Sequence, residues 1–330
     1  MSSSRKTEVL QLLRSSNDYV SGQQICESFG ISRTAVWKII NQLKDEGYEI
    51  EAVQNKGYFL SSAPDVLSLS ELKSRMKTKM AGSHLLYFDE IGSTNIEAKK
   101  QAENGAPNGL LVVADKQNQG RGRRGRSWES PAGMNIFMTI MLRPSFAPDK
   151  ASMITLVMAV SVAQAIADVT RLSVGIKWPN DIVVNKKKVV GILTELTTET
   201  DYIQHLVCGV GINVNQTDFP EAIAATATSL YLESGRKINR GELIEKSMEH
   251  FEENYEIFCK TESMEGLIVD YNSLLVNKEA QVRVLDPKGE YDGISHGITE
   301  MGELIVEKAD GTVENVYAGE VSVRGIYGYV

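Results

Sequence analysis

A strand, a glycine- and arginine-rich loop, and then a second strand constrain this chain more than any other feature. Gly109-Leu-Leu-Val-Val-Ala-Asp-Lys reads as a strand that runs into Gln117-Asn-Gln-Gly120-Arg121-Gly122-Arg123-Arg124-Gly125-Arg126-Ser-Trp128. The chain continues through Pro131-Ala-Gly133 into Asn135-Ile-Phe-Met-Thr-Ile-Met-Leu-Arg143, another strand pattern. Gly120, Gly122 and Gly125 satisfy the spacing G-x-G-x-x-G. A dinucleotide fingerprint, however, needs a helix to open at the loop, because the helix N-terminus holds the pyrophosphate. No GxxxxGK[ST] run occurs either, so the phosphate loop of the P-loop enzymes is excluded. Four arginines among glycines instead supply guanidinium groups that close over a highly charged phosphate ester. Their mutual repulsion on an unrestrained backbone is expected to leave the loop disordered until a ligand orders it. A basic surface loop for nucleic acid is the alternative.

Further motifs cluster around this one. Tyr87-Phe-Asp-Glu-Ile-Gly-Ser93-Thr94-Asn95 is a strand ending in small polar residues, with a helix following from about Ile96. Hydroxyls and an amide at such a junction suit a compact polar head group, and equally suit an ordinary helix cap. Gly175-Ile-Lys177-Trp178-Pro179-Asn180-Asp181 leads into two strands joined by Asn185-Lys186-Lys187, with Lys188-Val-Val-Gly191-Ile-Leu-Thr-Glu195 forming the second. Lys186 and Lys187 read as a solvated turn. Lys188 begins a strand, where its side chain can point at a site borne on the sheet, and Gly191 lets a ligand approach the backbone. Cys208-Gly209-Val-Gly211-Ile-Asn213-Val-Asn215 is a Gly/Asn-rich strand with no helix directly after it.

The N-terminal sixty residues read differently. Val9, Leu10, Leu12 and Leu13 stripe a first helix, Ser21-Gly22 opens a second that ends near Gly30, and Ser32 caps a third from about Arg33 to Glu46. Val36, Ile39, Ile40 and Leu43 fall at i, i+3, i+4 and i+7 on one face of that third helix. Thr34, Trp37, Lys38 and Asn41 lie opposite, flanked by Arg33, and offer the chemistry that reads base edges and phosphates in a major groove. A hairpin with the tip Gln54-Asn-Lys56-Gly57 follows, as expected of a wing on the DNA backbone. A helical protein-interaction domain is the alternative. Gly22, Ser32, Arg33, Thr34, Trp37, Lys38, Asn41 and Lys56 are the candidate DNA-contacting residues.

Charge limits what such a domain does alone. The chain carries a net charge of −8, yet its first sixty residues balance, with seven Lys/Arg against seven Asp/Glu. A neutral module binds DNA weakly and gains affinity when a dimer doubles its contacts. Composition is otherwise that of an ordinary globular chain, 42% hydrophobic and 24% charged. The longest apolar run, Ala151 to Ala167, contains Ser152, Ser161 and Gln164 and reads as a buried helix. The N-terminus shows no secretory pattern. Cys26, Cys208 and Cys259 show no metal or disulfide spacing, which suits reduced thiols in a cytoplasm.

Together these residues resemble the bacterial bifunctional biotin–protein ligase/biotin-operon repressor family. The resemblance rests on SGQQI and ISRTAVWK near the N-terminus, STN at 93–95, GRGRRGRSW at 120–128, KWPND at 177–181, KVVGILTE at 188–195 and GVGINVN at 209–215. It implies an α+β chain with a winged helix-turn-helix over 1–62, a linker over 63–80 and a catalytic domain over 81–274 built on a mixed sheet like that of class II aminoacyl-tRNA synthetases. An SH3-like barrel over 275–330 completes it, and the alternation from Ala280 onward fits, with turns at Asp286-Pro-Lys-Gly289, Met301-Gly302 and Asp310-Gly311.

The implied reaction joins biotin and MgATP into biotinyl-5′-AMP and then passes biotin to a lysine of a biotin carboxyl carrier domain. The resemblance puts Ser93, Thr94, Asn95, Gln117, Arg121, Gly122, Arg123, Trp128, Lys188, Asn213 and Arg324 on biotin and its adenylate. Lys188, Arg121 and Arg123 act in the chemistry, Trp128 stacks on adenine, and no side-chain metal site is implied. It also implies a cytoplasmic homodimer, promoted by the adenylate, on a palindromic operator. A catalytically silent regulator, a lipoate or octanoyl transferase, and a ligase without repression are the rival readings.

Overall fold

The computed structural model describes residues 2–199, 202–286, 289–318 and 322–325. The chain divides into two compact units, Met1–Lys77 with Asn239–Glu245, and Thr78–Ile238 with Lys246–Val330.

In the first unit α1 (Ser2–Ser15), α2 (Gly22–Phe29) and α3 (Arg33–Asp45) form the expected helical trio. Ser21 and Ser32 cap α2 and α3, accepting from the N–H groups of Gln24 and Ala35 at 3.0 and 3.2 Å. Val9, Leu10, Leu13, Ile25, Val36, Ile40 and Leu43 are essentially inaccessible to water. At about 1.5–3 kcal/mol for each large apolar side chain, their burial outweighs the weak propensity of α1. The wing consists of β1 (Glu49–Val53) and β2 (Gly57–Ser62), paired antiparallel. Gly57 takes φ +118°, and a Cβ there would meet the Val20 carbonyl oxygen at 2.1 Å, so the tip accepts only glycine.

The segment expected as a linker holds an unexpected helix, α4 (Leu69–Arg75). Ser68 caps it, and Glu71, 1% exposed, accepts from Arg14 Nη2 at 2.7 Å, Arg75 Nε at 2.5 Å and the Tyr48 hydroxyl at 2.5 Å. Arg75 also donates to Asn239, just before the helix α9 (Arg240–Thr261), and to Glu245 in its second turn. Residues 63–77 therefore pack as part of the first unit, because a buried carboxylate must keep its cationic partners.

In the second unit the elements run β3 (His84–Phe88), α5 (Thr94–Glu103), β4 (Leu110–Ala114), β5 (Ile136–Leu142), α6 (Met153–Thr170), β6 (Gly175–Lys177), β7 (Asp181–Val184), β8 (Lys187–Glu199), β9 (Tyr202–Ile212), α7 (Glu221–Ala224) and α8 (Leu230–Ser234). Their strands make one mixed sheet in the order β3-β4-β5-β9-β8-β7-β6, with only β3 and β4 parallel. Asn185 and Lys186 both take positive φ in the tight β7–β8 turn, as a two-residue hairpin requires.

Alternation along β8 sends Thr194 to α6, whose Thr155 lies 2.8 Å away, and Glu195 to α5, so the two helices cover opposite faces. The apolar stretch Pro148–Thr170, long enough by composition to cross a membrane, is 72% buried in this core. After α10 (Ile268–Leu274) come β10 (Ala280–Leu285), β11 (Tyr291–Ile298), β12 (Leu304–Lys308), β13 (Val313–Val316) and β14 (Ser322–Gly325). They form a five-stranded sheet in the order β13-β12-β11-β10-β14, antiparallel throughout.

Candidate functional site

The cleft of the second unit exists because residues on one face of the sheet lack side chains. Gly191 on β8 and Gly211 on β9 are cross-strand partners, and Gly209, two residues earlier on β9, shares their face. Trp128 lies across the first pair. A Cβ at Gly191 would meet its ring at 2.7 Å, and one at Gly211 at 2.6 Å. The indole Nε1 is buried without a hydrogen-bond partner among the described residues. Over this floor opens a cleft of about 680 Å3, within the range of small-molecule sites.

Ser93, Thr94, Asn95 and Gln117 gather at the polar end of the cleft. Ser93 stands at the N-cap of α5 yet makes no capping bond with its side chain, so the cap reading of this hydroxyl fails. Gln117 Oε1 instead accepts from the Thr94 N–H at 2.9 Å. Lys188 stands over Trp128, its Nζ 5.2 Å from the ring centroid and 2.5 Å from Asp181 Oδ1. Gly191 and Glu195 lie four residue steps apart on β8, about 13 Å at strand spacing, which leaves room for an extended acyl arm between the two ends.

The arginine loop closes on itself through its own backbone. The Gly122 N–H donates to Arg126 O at 2.7 Å, Trp128 N–H to Gly120 O at 3.0 Å, and Arg123–Gly125 form a short 3-10 turn. Arg123 finds acceptors within the fold: Asn180 Oδ1 at 2.9 Å and the Ala318 carbonyl at 3.1 Å. Burial pulls its guanidinium pKa down from the usual arginine value, and Asp181 opposes that shift. Arg121 and Gly122 also line the cleft, and a Cβ at Gly122 would meet nothing nearer than 3.7 Å, so no packing contact requires a glycine there.

Asn213 lines the cleft too, with its Nδ2 donating to Thr228 O at 3.0 Å. That bond helps to anchor the segment around α7, whose Thr226 and Thr228 exchange backbone bonds with Lys188 at 2.7 and 2.9 Å. Arg324 pairs through its backbone with Arg283 on β10, and its side chain lies outside the described residues. Among those described, no three His, Cys, Asp or Glu side chains are grouped to hold a metal ion.

Sequence reasoning gave no role to Glu195, Lys99, Thr139 or the α7 segment. Glu195 accepts from Lys99 Nζ at 2.6 Å and Asn95 Nδ2 at 2.8 Å. Burial raises its pKa, and those two bonds more than reverse this, holding the carboxyl below the ordinary range. In the first unit, Trp37 is 59% exposed, and Arg33, Thr34, Lys38 and Lys56 are exposed as well. Ser32 is occupied as a cap, and Gly22 opens α2 beside the Tyr58 ring.

The biotin/lipoate A/B protein ligase family matches residues 87–213, a helix-turn-helix domain 5–59, and the biotin protein ligase C-terminal domain 280–324. The chain is 39% identical to the bifunctional ligase/repressor BirA of Bacillus subtilis over 98% of its own length and 100% of the relative's. It is 29% identical to the protein of the same name from Escherichia coli, covering 94% of this chain and 95% of that one. Among solved structures, the biotin protein ligase from Aquifex aeolicus in complex with biotin and ATP superposes with a TM-score of 0.65 at 30% identity, covering 74% of this chain and 99% of that one. The chain belongs to the bifunctional ligase/repressor family.

Proposed function

We propose that this protein is a biotin–protein ligase that also represses transcription, with biotinyl-5′-AMP as both intermediate and corepressor. The observation that carries the reading is the convergence of Lys188, the arginine loop and the polar residues at 93–95 on one glycine-floored cleft. The head group of biotin fits the polar end, and its acyl arm runs from there toward Lys188. ATP lies with adenine against Trp128 and Asn213. Magnesium enters with the nucleotide, where phosphate oxygens and water supply most of its ligands.

In the first step a biotin carboxylate oxygen attacks the α-phosphorus and pyrophosphate leaves. Two anions must approach, and the ammonium of Lys188, a compact point charge, neutralises them best where charge accumulates. Arg121 and Arg123 hold the acyl phosphate, and Arg123 exchanges its neutral acceptors Asn180 and Ala318 for phosphate oxygen. In the second step the uncharged amine of a carrier-domain lysine attacks the acyl carbon, and AMP departs with the P–O bond intact.

Adenylate bound in the cleft promotes pairing of two chains in the cytoplasm, and the paired α3 helices read a palindromic operator through Arg33, Thr34, Trp37, Lys38 and Asn41. Gly22, Ser32 and Lys56 flank the DNA backbone. The balanced charge of the N-terminal segment suits such gating, since one module alone attracts phosphate weakly. Coupling of a few kcal/mol between ligand and dimer is enough for a switch. Pyrophosphate release with MgATP and biotin, with lipoate and octanoate in parallel, tests the reading. Release confined to biotin is expected; release confined to lipoate overturns it. Equal operator affinity with and without adenylate overturns the repressor half.

A further inference from the structure

Hydrogen-bond direction at the polar end of the cleft is set through Glu195, Asn95 and Thr139, which act in turn on Thr94. Asn95 Nδ2 donates to Glu195 Oε2 at 2.8 Å and to the Leu193 carbonyl at 3.3 Å. A carboxylate and a carbonyl only accept, so the amide can face them only with its nitrogen. Its Oδ1 then faces Thr139 Oγ1 at 2.7 Å, and the Thr139 hydroxyl must donate. A hydroxyl has one proton. Across the 2.8 Å between Thr139 Oγ1 and Thr94 Oγ1 the donor must therefore be Thr94. Thr94 Oγ1 has no proton left for Gln117 Oε1, 3.2 Å away, which already accepts the Thr94 N–H.

Packing removes the freedom to rearrange. Thr139 is completely buried, and a Cβ at Gly209 would lie 2.0 Å from Asn95 Oδ1, so the amide is seated directly on the β9 backbone.

Resting on the biotin reading, we propose that Glu195 is a positioning residue that directs this chain of hydrogen bonds and leaves the Thr94 oxygen as an acceptor toward the cleft, thereby selecting a head group that donates an N–H there. The ureido ring of biotin carries such a donor; the dithiolane ring of lipoate carries none. Lys99 is the second half of the device. Its ammonium occupies Glu195 Oε1 at 2.6 Å and admits only an acceptor at that position.

Glu195→Gln tests this directly. Beside Lys99 the new amide must turn its oxygen to the ammonium and its NH2 to Asn95. Asn95 then flips, Thr139 receives instead of giving, and the Thr94 proton becomes available to the cleft. The side chain of Glu195 is 37% exposed and the change is isosteric, so the fold has no reason to fail. The readout is the ratio of dissociation constants, by calorimetry on the full chain, for biotin and for its two cyclic-carbamate analogues, in each of which one ureido N–H is replaced by a ring oxygen. The wild-type chain is expected to prefer biotin over one analogue by about tenfold or more, the scale of one hydrogen bond replaced by an acceptor–acceptor contact.

In Glu195→Gln that preference should fall below about threefold. Lys99→Met alone should leave it unchanged, and Lys99→Met combined with Glu195→Gln should restore it, because the new amide can then offer its oxygen to Asn95. General loosening of the site would weaken all three ligands together, and a second substitution would not repair it. An unchanged ratio in Glu195→Gln, or no recovery in the double variant, overturns the proposal while leaving the ligase reading intact. A wild-type chain that binds no biotin overturns both.

Discussion

Replacing Gly211 with alanine puts a methyl group into the floor of the cleft, and the structure fixes where it goes. The added carbon would lie 2.6 Å from Trp128 Cε2 and Nε1 and 3.0 Å from Cζ2. Contact between carbon atoms is most favourable at roughly 3.5–4.0 Å, so the indole must rise by about 1 Å. Strand β9 cannot yield, since Gly211 is paired with both Phe137 and Gly191. On the proposed placement of adenine, a lifted ring no longer presents its face to the base, and such a stacking pair contributes about 0.5–1.5 kcal/mol beyond its buried area. That range corresponds to a rise in KM for ATP of roughly two- to tenfold. Residues 93–95, the proposed biotin contacts, lie at the other end of the cleft, so biotin affinity should change by less than about twofold. Pyrophosphate release, with each substrate varied in turn, measures both. Loss of biotin binding with KM for ATP unchanged would refute the placement of adenine on Trp128.

Other outcomes follow from the same geometry. Arg123→Ala should let the adenylate dissociate about 10- to 100-fold faster, the scale of one charge-assisted bond, and weaken repression while the thermal midpoint stays nearly constant; a stopped-flow chase of labelled adenylate measures it. Lys188→Ala should lower the rate of adenylate formation by at least about 100-fold with little change in biotin affinity, read by single-turnover quench. Glu71→Ala leaves Arg14, Arg75 and Tyr48 without their shared acceptor and should destabilise the first unit by about 3–5 kcal/mol, seen in chemical denaturation. His296, between Glu307 at 2.8 Å and Glu279 at 2.9 Å, has its pKa raised by those two carboxylates. Its contribution to stability is complete below the unfolded value near 6.5 and is lost as pH rises through the folded value, so His296→Gln should flatten the pH dependence of the thermal midpoint above about pH 6.

What the sequence reveals depends on how local the cause is. Helix α3 is legible because Ser32, the apolar spacing and Gly47 act within one element. The failure of the G-x-G-x-x-G run as a nucleotide fingerprint is legible because a strand, β5, follows it. Lys188 stands out from Lys186 and Lys187 by its place at the start of a strand, and the structure brings it to Trp128 and Asp181.

Glu195 and Thr139 are 56 residues apart and meet only through strand pairing across β9, so nothing local marks either of them. Helix α4 carries the capping signal Ser68-Leu-Ser-Glu71, which is visible in the sequence. What overrides the linker reading is the tertiary role of Glu71, which takes Arg14 from fifty-seven residues away. The acceptors that Arg123 meets are equally hidden from the sequence, because Asn180 and Ala318 become its neighbours only in the fold.

The most direct measurement is of what the purified chain retains after incubation with MgATP and biotin. About one biotinyl-5′-AMP should be held per chain through gel filtration and surrendered on addition of a carrier domain that gains one biotinyl group on lysine. A chain that retains no adenylate, or that retains the lipoyl adenylate equally well, would contradict the ligase reading.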